Sequence, residues 1–141
     1  MKKYNNYDKL LNLLPEDDAA YQFKKCHNYK FHIPTKEQCE ELIQYTTVSE
    51  YQENYNGIEG LNGYILTSNI NNNEIFIPMA GYYGFFNSFQ NFRAALSCAT
   101  RYEKDPYNYR CYVLQYDTRG AELNDVLYRT CGFPIRPVIN L

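Results

Sequence analysis

The chain contains no tryptophan, although aromatic residues make up 17% of its 141 positions. The aromatic content comes from 16 tyrosines and 8 phenylalanines. The sequence also lacks an excess of either charge, because 14 basic and 16 acidic side chains give a formal net charge of −2. Nucleic-acid-binding proteins and membrane-surface helices need a cationic face, so we expect neither. No apolar run approaches the ~18 residues of a membrane span, which predicts that the chain does not insert into a membrane.

The five cysteines are odd in number and form no C-x-x-C pair. A chain of this length can hold its own core, so a full disulfide framework is not expected. We interpret Cys26, Cys39, Cys98, Cys111 and Cys131 as small buried residues in a reducing compartment. The basic start at Met1 is followed by polar residues where a signal peptide has an apolar segment. The sequence therefore predicts synthesis in the cytoplasm without a signal peptide.

Catalytic and metal-binding patterns are nearly absent. The chain has only two histidines, His27 and His32. Their spacing to Cys26 and Cys39 matches no standard zinc site, so we expect no metal. There is no nucleophile elbow and no phosphate-binding glycine loop, and we expect no cofactor and no catalytic residue. One alternative stays open, in which Cys98 acts as a thiol nucleophile with a distant histidine.

The first third of the chain has helical patterns. Apolar residues over 6–14 share one helical face and end at Pro15, which predicts a short N-terminal helix. Asp18 can cap a second helix that continues to Cys26. Thr35 and Gln38 form a capping-box pattern that predicts a third helix. That helix is expected to bury positions spaced three and four apart, namely Cys39, Leu42, Ile43 and Thr46.

From residue 63 onward the pattern is that of antiparallel strands. Two short β-rich runs, 63–68 and 74–78, are predicted to form a hairpin. Further strands are expected over 94–100 and 110–117, then after the turn at 117–120 and over 133–139. Because helices precede antiparallel strands, the order indicates an α+β fold rather than a parallel sheet.

The last third of the chain concentrates tyrosines and charged residues on predicted loops and strand edges. Tyrosine offers a large, rigid contact area at a low cost in entropy, which is typical of binding surfaces. The alternative is that the tyrosines reflect an AT-rich genome and that several rings pack in the core. The candidate ligand-binding residues are Tyr102, Glu103, Lys104, Asp105, Tyr107, Tyr109, Tyr112, Tyr128 and Arg129.

Several segments, in order, resemble the C-type-lectin-like domains of bacteria and phages. The matching segments are 31–37 with 41–43 (FHIPTKE and ELI), 63–64 with 75–82 (GY and IFIPMAGY), 96–98 (LSC), 111–114 (CYVL) and 132–138 (GFPIRPV). The group is named for the major paralogous domain of Fibrobacter succinogenes. It is related to the variable proteins of diversity-generating retroelements and, more distantly, to formylglycine-generating enzymes.

The resemblance implies a C-type-lectin-like fold, with two main helices and a short N-terminal helix packed on a small twisted antiparallel sheet. It places this domain at 16–141, after an N-terminal helical extension over 1–15. Phe31 and Leu96 stand where the family has tryptophan, so the core must be packed around other side chains. The calcium-binding triplets of sugar-binding animal lectins are absent.

The resemblance also implies a non-enzymatic receptor-binding module of a phage virion, as in a tail or head fibre, or of a cell surface. In the retroelement proteins the diversified binding residues correspond to 101–130, the window that holds the tyrosines. The implied partner is a protein or glycan receptor. One alternative is a structural virion protein that contacts neighbouring subunits, including its own copies, through the same face. A more remote alternative is a formylglycine-generating-type enzyme.

Overall fold

The computed structural model describes residues 10–23, 31–84, 89–90, 94–101, 110–117, 119–128 and 131–139. This part of the chain contains two α-helices, α1 (Ala19–Gln22) and α2 (Lys36–Tyr45). Its strands are β1 (Phe31–His32), β2 (Thr46–Gln52), β3 (Gly63–Ser68), β4 (Glu74–Pro78), β5 (Tyr82–Tyr83), β6 (Phe89–Gln90), β7 (Ala94–Arg101), β8 (Arg110–Asp117), β9 (Gly120–Tyr128) and β10 (Val138–Ile139).

The expected α+β, C-type-lectin-like fold with two main helices and a short N-terminal helix is wrong. The protein is mostly β, and its strands form several small antiparallel sheets. Among the described residues, α2 with 10 residues is the only helix longer than one turn, since α1 has 4. Strand-forming sequence begins directly after α2, which leaves little of the described chain for helices.

The predicted N-terminal helix is replaced, over residues 10–14, by a segment that bonds to a strand. The amide of Leu13 donates to the carbonyl of Ala99 at 3.1 Å, and Asn12 forms an antiparallel bridge with Thr100. A nine-residue helix is marginal on its own in water, so pairing with β7 gives these backbone groups better partners. Residues 6–9 lie outside the described part of the chain.

Asp18 caps α1 as predicted and also bonds to a residue distant in sequence. Its Oδ1 accepts from the amides of Ala20 at 2.8 Å and Tyr21 at 3.1 Å. Its Oδ2 accepts from the amide of Ile33 at 2.8 Å. This buried carboxylate therefore joins the start of α1 to the residue after β1. The described helix ends at Gln22, and Cys26 lies outside the described residues.

The capping box of α2 is confirmed. The Thr35 amide donates to Gln38 Oε1 at 3.0 Å, and the Gln38 amide donates to Thr35 Oγ1 at 3.4 Å. Cys39 is buried, and Leu42 and Ile43 pack against the same core cluster, as their helical spacing predicts. Thr46 ends the helix in an extended conformation, and β2 begins at that residue.

The first three-stranded sheet has the order β2-β3-β4. The predicted hairpin of β3 and β4 is confirmed, with Gly63 opposite Pro78 and Thr67 opposite Glu74. Position 63 requires glycine, because an added Cβ would lie 2.2 Å from the carbonyl oxygen of Ile77. Strand β2 was not predicted and pairs antiparallel with β3.

The second three-stranded sheet has the order β7-β8-β9, and its predicted strands are confirmed. Strand β8 is buried on both faces, because Val113 and Leu114, which point in opposite directions, are 0% and 1% exposed. The last strand, predicted over 133–139, is shorter than expected. It consists of Val138–Ile139, which pair antiparallel with β1. No helix in the described part of the chain is both long and apolar enough to cross a membrane.

The main core lies between α2 and the two three-stranded sheets. Side chains from all three come together there in one cluster. Its buried members are Cys39, Tyr64, Leu66, Ile77, Leu96, Cys98, Tyr112, Leu114 and Tyr116. Leu96, which stands where the resembled family has tryptophan, is therefore a core residue at 3% exposure.

Candidate functional site

Three strand ends meet at one end of the second sheet. Arg101, the last residue of β7, lies opposite Cys111, and Arg110, the first residue of β8, lies opposite Tyr128, the last residue of β9. Residues 102–109, which lie between Arg101 and Arg110 in the sequence, are outside the described part of the chain. The opposite end holds the turn from Asp117 to Gly120.

The chain that follows β9 brings a second aromatic segment to the same end. The amide of Cys131 donates to the carbonyl of Tyr128, the last residue of β9, at 3.0 Å. Gly132 then pairs with Tyr83 through two backbone hydrogen bonds of 2.9 and 3.0 Å. Strand β5, far earlier in the sequence, is thereby fixed beside the end of β9.

Alternation along β5 gives its two tyrosines different surroundings. Successive side chains of a strand point to opposite faces. The Tyr82 ring lies 5.2 Å from the Phe133 ring, measured between centroids, and is half-buried. Tyr83 points the other way and is 56% exposed. We name the end of the fold that carries Tyr82, Tyr83, Tyr128 and Phe133 the aromatic end.

The exposed rings of the aromatic end are suited to contact a partner. Tyr128 is 43% exposed and Tyr83 is 56% exposed. A phenol ring combines an apolar face with a hydroxyl that can donate and accept, so it binds both apolar groups and hydroxyl-rich surfaces. Arg110, half-buried and opposite Tyr128, places a positive charge at the same end.

The predicted ligand-binding residues divide into three groups. Tyr128 lies at the aromatic end. Tyr112 belongs to the core at 8% exposure, where the Lys36 ammonium lies 4.9 Å from its ring centroid. The remaining candidates lie outside the described residues, and they are Tyr102, Glu103, Lys104, Asp105, Tyr107, Tyr109 and Arg129.

Tyr83 is an exposed aromatic residue that the sequence did not indicate as a candidate. The sequence predicted an irregular packed loop over 80–93, and nothing local shows that position 83 pairs with position 132. Had a strand been assigned over 82–83, alternation would have placed the two tyrosines on opposite faces. That is the only local indication in the sequence that one of these rings is exposed.

A concave feature of about 300 Å³ lies between α1, β1 and β7, lined by residues that include Asn12, Asp18, His32 and Ala99. Asp18 is the one acidic residue among the described ones that line it, and the carboxylate already accepts three backbone hydrogen bonds. His32 Nδ1 lies 3.0 Å from the carbonyl oxygen of Ile33. This lining offers no pair of carboxylates for general acid–base chemistry.

The thiol considered as a nucleophile belongs to the core. Cys98 is 4% exposed. Hydrogen bonds, from the Cys39 thiol first and from Thr100 second, lower the pKa of Cys98 against the opposing effect of burial. The interaction with the Cys98 thiol raises the pKa of Cys39. Burial and the nearby Glu40 and Glu37 carboxylates raise it further.

Metal ligands do not gather in the described ranges, where no group of three or more His, Cys, Asp or Glu side chains could hold an ion. Cys26 and His27 lie outside those ranges. A scan against protein-family models finds no match to the chain, and searches of curated proteins and of solved structures find none either.

Proposed function

We propose that this protein is a non-enzymatic binding module that contacts a protein or glycan partner through its aromatic end. One observation carries the proposal. Two exposed tyrosines, Tyr83 and Tyr128, lie at the end of the sheet where β7 and β9 end and β8 begins.

The chemistry of the exposed rings supports this choice of surface. A tyrosine at the centre of an interface commonly contributes about 2 kcal/mol or more to binding, because its ring is large and has few rotatable bonds. A folded domain gains nothing for its own stability from rings left in water. Exposed apolar groups that gather at one place are typical of interaction sites.

The sequence resemblance supports the place of action. It implies a phage virion or a bacterial cell surface, and it implies binding residues within 101–130. Tyr128 lies inside that window and Tyr83 outside it. The proposed surface is therefore wider than the resemblance implies, since β5 adds to it a residue from a different part of the chain.

The test compares two tyrosines of equal exposure. Tyr128 and Tyr45 are each 43% exposed, and Tyr45 is the last residue of α2, where its carbonyl accepts from the amide of Asn69, the residue after β3, at 2.9 Å. The fluorescently labelled protein and its Tyr128→Ser, Tyr83→Ser and Tyr45→Ser variants would be applied to a glycan array and to a panel of bacterial cells. Circular dichroism would first show that each variant is folded.

We expect Tyr128→Ser and Tyr83→Ser each to weaken capture about 10-fold or more, which corresponds to ~1.4 kcal/mol. Tyr45→Ser should leave capture unchanged. Equal losses in all three variants, or capture by neither array nor cells, would contradict the proposal. Sedimentation velocity separates the structural-subunit alternative, which predicts self-association that Tyr128→Ser abolishes.

A further inference from the structure

Strand β4 lies at one edge of the β2-β3-β4 sheet. Two backbone hydrogen bonds, one at each end of β4, show which of its residues face β3. The Ser68 amide donates to the Asn73 carbonyl at 2.8 Å, and the Met79 amide donates to the Asn62 carbonyl at 2.7 Å. Alternate residues of an antiparallel strand direct both backbone groups to the same neighbour. The odd-numbered residues of β4 therefore face β3.

The even-numbered residues of β4 direct their backbone groups to the outer side of the sheet. These residues are Glu74, Phe76 and Pro78. The neighbouring strand agrees, because Ile65, which lies opposite Phe76, donates its amide to Ser49 Oγ of β2 at 3.2 Å and so not to β4. Within the described ranges, no group bonds to the outer amides and carbonyls of β4. Such a row of backbone groups is a template for another strand.

Strand β4 has few of the features by which proteins protect an edge from pairing. The opposite edge, β2, is interrupted, because its register with β3 shifts between Val48 and Tyr51, and Glu50 adds a charge there. In contrast, β4 pairs with β3 without a shift, and its one charged residue, Glu74, is its first. Pro78, which has no amide to donate, is its last. The middle of β4 is therefore flat and uncharged, which favours pairing.

We propose that two copies of this chain associate through β4, with the strands antiparallel and Phe76 opposite Phe76 of the second copy. The two Phe76 residues exchange both of their backbone hydrogen bonds in this register. Each Glu74 amide donates to the Pro78 carbonyl of the other copy. The two three-stranded sheets thereby join into one continuous sheet across a two-fold axis. This association does not depend on the aromatic end.

Charge and backbone bonding favour this register over its neighbours. Each Glu74 lies opposite the uncharged Pro78, and the two Glu74 residues are offset by about 13 Å along the strands. That distance exceeds the ~8 Å over which salt screens charges. A register shifted by two residues in one direction brings the two carboxylates to a diagonal contact of ~7 Å. A shift in the other direction puts Phe76 opposite Pro78, where the missing amide leaves the Phe76 carbonyl without a donor.

The ring of Phe76 adds an apolar contact to the backbone bonds. It is stacked on Tyr55, with centroids 4.0 Å apart and an interplanar angle of 1°. Both side chains are half-buried in one chain. Directly opposite residues of an antiparallel pair project to the same face of the sheet, where aromatic pairs attract each other. Association would therefore cover ring surface that the single chain leaves in water.

Amide hydrogen exchange of the wild-type chain, measured by NMR over a dilution series, tests this pairing without a substitution. In the monomer, the amides of Ile75 and Ile77 bond to β3 and should exchange slowly, whereas those of Glu74 and Phe76 should exchange fast. At a protein concentration about ten times the dimer Kd, about one fifth of the chains are monomeric. Exchange at Glu74 and Phe76 should then be ~5-fold slower. Ile75 and Ile77 should remain slow at every concentration.

Sedimentation equilibrium with charged variants tests the two-fold register. The wild-type mass should rise from 16.7 kDa towards twice that value as the concentration approaches about 1 mM, which detects a millimolar Kd. Phe76→Lys and Phe76→Glu each place like charges opposite one another, so each variant alone should stay monomeric. An equal mixture of the two should dimerise, because lysine then faces glutamate. Tyr128→Ser should dimerise as the wild type does.

Four results would overturn the pairing. The first is a wild type that stays monomeric at 1 mM. The second is slow exchange at Glu74 and Phe76 in the dilute monomer, which would mean that another part of the same chain covers β4. The third is self-association that leaves those two amides exchanging fast. The fourth is loss of self-association in Tyr128→Ser, which would place the contact at the aromatic end. The wild-type exchange decides even where a Phe76 variant fails to fold.

Discussion

Tyr116→Phe is expected to stabilise the protein, because it removes a buried polar group from the main core near the end of β8. Tyr116 is 1% exposed, and its hydroxyl has no hydrogen-bond partner among the described residues. A buried hydroxyl without a partner costs about 1–3 kcal/mol relative to water. Phenylalanine keeps the ring and leaves almost no cavity. We therefore expect the free energy of unfolding to rise by about 1–2 kcal/mol at pH 8.

The gain should grow in alkali. Burial raises the pKa of Tyr116, and the nearby Cys39 raises it further. The folded state therefore keeps this phenol protonated, whereas the unfolded state ionises it near pH 10. The stability that depends on the protonated phenol is fully present below pH 10 and is lost as the pH rises above it. Relative to Tyr116→Phe, the wild type should lose a further ~0.8 kcal/mol by pH 10.5.

Urea unfolding followed by circular dichroism at pH 8.0 and pH 10.5 measures both effects. Tyr128→Phe is the control, because its hydroxyl belongs to an exposed ring and the change should stay within about 0.5 kcal/mol at pH 8. A Tyr116→Phe variant that is less stable than wild type at pH 8 would refute the reasoning. That result would mean that the hydroxyl is stabilised in the folded state.

Two further substitutions test how the fold is fixed. Asp18→Ala should lower the free energy of unfolding by about 3 kcal/mol, because it removes the acceptor for three backbone amides, including that of Ile33. Asp18→Asn should lower the free energy of unfolding by less. Gly63→Ala should cost about 3 kcal/mol or more, because its Cβ would lie 2.2 Å from the Ile77 oxygen. Gly132→Ala is its control, since the Cβ there would make an ordinary 3.5 Å contact with Tyr83. Urea unfolding midpoints test both predictions. An unchanged midpoint for Asp18→Ala would contradict the first, and equal losses of stability in Gly63→Ala and Gly132→Ala would contradict the second.

Local sequence signals predicted local structure well. The capping box at Thr35 and Gln38 specifies a helix start by reciprocal bonds between neighbours, so it needs no tertiary context. Alternation over 110–117 predicted β8, with Tyr112, Leu114 and Tyr116 on one side of the strand. The structure places that side in the core, whereas Tyr112 was predicted to bind a ligand. Alternation alone could not show that the other face of β8 is buried as well.

The errors arose where distant partners decide the structure. Residues 10–14 have a helical pattern, yet their backbone bonds to β7, nearly ninety positions later. The balance between helices and strands was wrong for the same reason, since β2 forms by pairing with β3. At the candidate site, Tyr128 was predicted and Tyr83 was not, because only the pairing with Gly132 brings Tyr83 there.

Hydroxyl-radical footprinting of the chain, free and bound to the cells or glycan that capture it, tests the central claim most directly. Radical attack on a tyrosine ring falls when a partner covers it. We expect binding to reduce labelling of Tyr83 and Tyr128 several-fold while Tyr45, as exposed as Tyr128, is labelled as before. Protection of Tyr45 with unchanged labelling of Tyr83 and Tyr128 would contradict it.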